Sequence, residues 1–131
     1  MGYSREVYNA AMTEMERRRT EARTKAAALH ERMINKNPRI LEIEQEMANA
    51  AIRVARAVLD GGNVEAAVER IKTQNLTLQA ELAKILSSEG IHTPNFDPRY
   101  SCPICEDTGY IGRRMCDCFK ALLREEAFRR L

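Results

Sequence analysis

"NPRILEIEQEMANAAIRVARAVLDGGNVEAAVERIKTQNLTLQAELAKILSSEG", residues 37–90, decides the fold of this 131-residue chain. Apolar residues recur every three or four positions on both sides of Asp60-Gly61-Gly62. The first set is Ile40, Ile43, Met47, Ala50, Val54 and Val58; the second is Val64, Val68, Ile71, Leu78, Leu82 and Ile85. Each set marks one face of an α-helix. Asn37 caps the first helix, Pro38 opens it and the glycines end it. The second starts at Asn63 and stops near Ser88-Glu89-Gly90. A link of so few residues forces the two helices antiparallel, as a helical hairpin. Asn75 falls on the second stripe, between Ile71 and Leu78. We read this helix as rotated slightly, so that Leu76 covers the position; a buried amide that fixes register is the other reading.

Upstream, a third helix is predicted from about Ser4, its N-cap, to Asn35, before the stop Asn35-Lys36-Asn37-Pro38. Its stripe is thin and rich in alanine: Tyr8, Ala11, Met15, Ala22, Ala26, Leu29 and Met33, with Arg19 in the same register. Such a helix packs closely on a neighbour or leaves part of its length for a partner. Downstream, "GIHTPNFDPRY", residues 90–100, holds two prolines and a glycine and ends the helical region. A last helix runs from about Asp117, its expected N-cap, and Phe119, Leu122, Leu123, Phe128 and Leu131 are still periodic at the final residue. This unfinished pattern reads as the front part of a longer protein.

The charge balance excludes several classes. Lys and Arg total 21 against 19 Asp and Glu, a net charge of +2, so charge does not mark a dedicated nucleic-acid or membrane binder. No apolar run reaches membrane-spanning length, and "MGYSREVYNAAMTEMERRR" has no signal-peptide core. Gly2 is followed by a poor myristoylation context. Asn75-Leu76-Thr77 is a chance sequon inside a helix. There is no GxxxxGK[ST], GxGxxG, GxSxG or HExxH, and nothing reads as an active site or an ATP site. The basic run "ERRRTEARTK", residues 16–25, is offset by Glu14, Glu16 and Glu21 in helical pairing.

All four cysteines lie in "CPICEDTGYIGRRMCDC", residues 102–118. Cys102-x2-Cys105 and Cys116-x-Cys118, ten residues apart, have the layout of a tetrahedral structural zinc site. One C-x2-C turn brings two sulfurs to one side of the ion, and the second pair closes the shell. Gly109 and Gly112 suit a tight hairpin between the pairs. Arg113, Arg114, Lys120 and a helix N-terminus offset the negative centre. Two disulfides would need an oxidising compartment, and no export signal is present. Four thiolates leave no open position for catalysis. His92 reads as a linker residue, and His30 as a surface or packing residue.

"PRYSCPICEDTGYIGRRMCDCFKALLREEAFRRL", residues 98–131, resembles the N-terminal region of DnaC/DnaI-type replicative helicase loaders in their four-cysteine form. Those proteins carry Y-x-C-P-x-C-x-D-T-G-Y, a nearby C-x-C and a helix leading into an AAA+ ATPase domain. The likeness is specific from Tyr100 to Leu131 and compositional before Gly90. It implies that Cys102, Cys105, Cys116 and Cys118 ligate zinc. It also implies that the N-terminal domain grips a hexameric replicative helicase while an ATPase domain, absent from these 131 residues, governs loading on single-stranded DNA. The DnaJ-type CPxCxGTG repeat is only locally similar.

The expectation is therefore a mainly α protein: a bundle or hairpin of three helices, a small four-cysteine zinc knuckle and a C-terminal helix. Residues 1–90 form a helicase-interaction domain, 91–101 a linker, 102–118 the knuckle and 119–131 a helix toward the ATPase. The chain is expected to be a non-enzymatic adaptor with structural zinc, bacterial or phage-encoded, cytoplasmic and nucleoid-associated, able to self-associate and touching DNA weakly or indirectly. Tyr8, Met12, Met15, Leu29 and Met33 are the expected helicase contacts, with ordinary bundle core as their competing reading. The alternative function is a nucleic-acid-binding zinc module using Arg113, Arg114, Lys120 and Arg124, with Arg129 and Arg130 in support.

Overall fold

A computed structural model describes residues 2–92 and 96–131. It is mainly helical. The elements are α1 (Arg5–Lys36), α2 (Arg39–Leu59), α3 (Val64–Ser88), β1 (Tyr110–Ile111), β2 (Arg114–Met115) and α4 (Asp117–Arg129). None of the described helices is long and apolar enough to cross a membrane. Residues 93–95 of the predicted linker lie outside the described residues.

Two compact units divide the chain: Met1–Ala28 with Asp97–Leu131, and Leu29–Phe96. This partition differs from a single helical domain over residues 1–90. The first part of α1 groups with the cysteine segment, and only its last turns group with α2 and α3. The alanine-rich stripe divides in the same way: Ala11 and Met15 are buried in one apolar cluster and Met33 in the other.

In the Leu29–Phe96 unit, α2 and α3 form the predicted hairpin. Asn37 Oδ1 accepts the Arg39 N–H at 3.1 Å ahead of α2, and Asn63 Oδ1 accepts the Ala66 N–H at 3.1 Å ahead of α3. The core joins Met33 of α1, Ile40 and Ile43 of α2, and Leu78, Leu82 and Leu86 of α3. Leu86, one step past the expected Ile85, is fully buried, while Ile85 is half-buried. The end of α3 explains why. Gly90 at φ +78 lets the Ile91 N–H reach Leu86 O at 2.9 Å and its own N–H reach Ser87 O at 3.0 Å, and Ile91 packs on the same core. Arg39 clamps α2 to α3 through Glu81 at 2.7 and 2.9 Å. His30 is a packing residue: its Nε2 lies 2.8 Å from the Glu44 carboxylate and its ring is edge-on to Phe96.

Two expectations in the hairpin change. Val58 and Val68 are exposed, because near Gly61 each helix has only the other to cover it. Leu76 is 57% exposed and does not cover the stripe. Asn75 keeps its stripe position, half-buried, with a buried Oδ1 that has no hydrogen-bond partner among the described residues. A buried unmet acceptor costs about 1–3 kcal/mol. Asn75→Leu is therefore expected to stabilise the fold by about 1 kcal/mol, read as a higher denaturant midpoint at unchanged m-value; a lower midpoint would show that the amide holds the register.

Candidate metal centre

The unit of Met1–Ala28 and Asp97–Leu131 is small, about 60 residues, a size at which one apolar core stabilises weakly without a cross-link or metal. Its core is Val7, Ala11 and Met15 of α1, Phe119, Leu122 and Leu123 of α4, and the sulfurs of Cys105 and Cys116. Ser4 Oγ accepts the Val7 N–H at 3.3 Å and starts α1 as expected. The helix presents Val7, at 5% exposure, where the sequence stripe begins with Tyr8. Tyr8 sits at the rim instead, edge-on to Phe119, with its hydroxyl 2.7 Å from that of Tyr110. That hydrogen bond also raises the Tyr110 pKa.

The cysteines meet on a short hairpin. β1 and β2 pair antiparallel with Ile111 opposite Arg114, so Gly112 and Arg113 make the turn and Gly112 takes φ +62. The Cys116 N–H donates to Gly109 O at 2.8 Å and closes the loop. Gly109 has φ +88, and a Cβ there would stand 3.3 Å from the Phe119 ring. The chain then turns into α4. The N-cap position falls on Cys116, whose carbonyl accepts the Phe119 and Lys120 N–H groups, and Asp117 is the first helical residue rather than the cap. Cys118 thus stands in the first turn, at the positive end of the helix dipole.

All four Sγ atoms lie within 4.8 Å of one another. Cys102 to Cys116 is 3.8 Å and Cys105 to Cys118 is 3.4 Å. A disulfide needs about 2.05 Å, and all four are free thiols. A tetrahedron with metal–sulfur distances of about 2.3 Å has edges of about 3.8 Å. The four cysteines are thus positioned to hold one metal ion in a closed shell. The thiols are unequal beforehand. The N–H of Cys105 lowers Cys102 to about 7, with help from the N–H of Ile104. Burial, then the neighbouring thiols, pushes Cys118 up. At Cys116 burial and the thiols of Cys102 and Cys105 outweigh the lowering effect of the Cys118 N–H. A cation removes this conflict by taking all four as thiolates.

The residue that holds the site in shape is Asp107, to which the sequence pattern assigned no role. Asp107 is 0% exposed. Its carboxylate accepts the N–H of Ser101 and of Cys102, each at 2.9 Å. Glu106 and Asp107 both adopt left-handed φ, 55° and 58°, which turns the chain back so that this carboxylate faces the first ligand. Thr108 Oγ1 donates to Cys105 O at 2.7 Å and ties the second ligand to the same turn. Arg19, the oddity of the α1 stripe, places Nη1 3.3 Å from Asp107 O. An acidic residue two positions after C-x2-C was the available signal.

The expected site residues separate accordingly. Met15 and Met33 are core, at 0% and 3% exposure, so they are not the exposed partner contacts expected of them: the thin stripe is used up by the protein's own packing. Met12 and Leu29 are half-buried against the two cores, and Tyr8 is tied to Phe119 and Tyr110. Arg113, Arg114, Lys120 and Arg124 are all exposed. Arg129 and Arg130 pair with Glu126 at 3.1 and 3.6 Å. His92 belongs to the other unit. No family model, curated protein or solved structure matches the chain.

The purified protein is expected to hold one metal ion per chain by elemental analysis, with affinity falling as pH falls because every ligand binds as its thiolate. Cys105→Ser is expected to lose the stoichiometric ion. Asp107→Ala frees two backbone donors beside Cys102 and is expected to weaken metal binding about 10–100-fold, with Asp107→Asn intermediate, in competition against a chelating dye.

Proposed function

We propose that this chain is the helicase-binding adaptor region of a DnaC/DnaI-type helicase loader and that its ion is zinc. Zinc is supported by the closed four-thiolate donor set, which suits a structural site. The loader reading is supported by the Y-x-C-P-x-C-x-D-T-G-Y segment and the C-x-C that opens a helix. In this reading the protein works in a bacterial or phage-infected cytoplasm at the nucleoid. It touches DNA weakly or indirectly through this region, and ATP hydrolysis belongs to no residue of the chain.

The observation that carries an adaptor role is an unpartnered row on α2. Leu41, Ile52 and Leu59 are 41%, 52% and 84% exposed. Their spacings of eleven and seven residues put them on one helix face, away from Ile40, Ile43 and Ala50 in the core. Such a row suits packing against a helix of the hexameric helicase. It replaces Met15 and Met33 as the surface on offer.

The test is titration of the metal-loaded chain with the cognate replicative helicase at low and moderate salt. Salt-tolerant binding is expected, weakened at least tenfold by Ile52→Glu with Leu59→Glu at unchanged helical content, a loss of about 1.4 kcal/mol or more. No binding by the unaltered chain removes the loader reading; unchanged binding by the variant removes the α2 row as its surface.

A further inference from the structure

A groove in the Met1–Ala28 and Asp97–Leu131 unit collects residues more than a hundred positions apart. It has a volume of about 880 Å³ and is lined by Tyr3, Arg5 and Tyr8 from the start of the chain and by Lys120, Leu123 and Arg124 from α4. That volume lies in the ~300–1,000 Å³ range of ligand clefts. Three cations face one space. Among the described residues, Arg5 and Arg124 make no ion pair, and Lys120 has only a long one to Asp117 at 3.8 Å. The contrast is at the far end of the same helix: Arg129 pairs with Glu125 and Glu126, and Arg130 with Glu126 and Glu6. Tyr3, which lines the groove, is 46% exposed. Tyr8 is held by Phe119 and Tyr110, so the wall beside it is built before any ligand arrives. Leu123 adds apolar floor.

We propose that this groove binds a single-stranded polynucleotide, with Arg5, Lys120 and Arg124 on successive phosphates and a base stacked on Tyr3. Cations around an exposed aromatic side chain are the combination that holds single strands without reading their sequence. A bare anion would use the cations and leave the tyrosine idle. A duplex would keep its bases stacked on one another and away from Tyr3. The site is separate from the α2 row and stands or falls independently of helicase binding.

The test is fluorescence anisotropy of labelled dT12 and rU12 with the metal-loaded full chain across a salt series. Three phosphate contacts on a single strand give a slope of log K against log salt of about −2. Arg5→Ser with Arg124→Ser is expected to weaken binding at least tenfold and flatten the slope to about −0.7. Tyr3→Ala is expected to weaken it at least fivefold at unchanged slope, and Arg113→Ser with Arg114→Ser to leave it within twofold. All these side chains are exposed, and unchanged metal content and helical signal check the fold. Absence of binding to both oligonucleotides at low salt overturns the proposal. So does binding that the groove variants leave intact, or that Arg113 and Arg114 control.

Discussion

Four sulfurs within 4.8 Å of one another cannot all carry their charge without a cation between them. The small unit depends on resolving that conflict. Phe119, Leu122 and Leu123 pack against Cys105 and Cys116, so the core and the ligand shell share atoms. Moving a sulfur moves the core, and a metal ion at the centre would fix both. Asp107 provides the complementary restraint. It aims two backbone N–H groups at itself and so sets the direction in which the Cys102 segment leaves the knuckle. Arg19 satisfies the Asp107 carbonyl and links α1 to that turn.

The two compact units handle the same alanine-rich helix differently. In one, Ala11 and Met15 share a core with α4 and the cysteine hairpin. In the other, Met33 fills a gap at the open end of the α2–α3 hairpin. Neither leaves the α1 stripe available. Among the outward features are the second face of α2 in one unit and a basic, tyrosine-lined groove in the other. On the proposed reading, a protein contact would use the first of these surfaces and a strand contact the second.

The sequence by itself determined the helices, the hairpin and the grouping of the four cysteines. Helical period, Asn caps and glycine stops are local, and they placed α2 and α3 to within a residue or two. The C-x2-C and C-x-C spacing was enough to group four cysteines as candidate ligands, because close pairs restrict where sulfurs can go. Periodicity, however, reports that a face exists and not what covers it. That is why Met15 and Met33 read equally as contacts or as core, why Tyr8 stood where Val7 belongs, and why Leu76 was assigned a position that Asn75 holds. Only the tertiary structure decided that the start of α1 shares a core with the cysteines. It alone gave Asp107 its buried role, and it alone brought Tyr3 and Arg5 to the same groove as Lys120 and Arg124. The shared core and the groove depend on contacts between residues some ninety to a hundred and twenty positions apart, which no local pattern encodes; Asp107 acts closer by, on Ser101 and Cys102, through the left-handed turn that buries it.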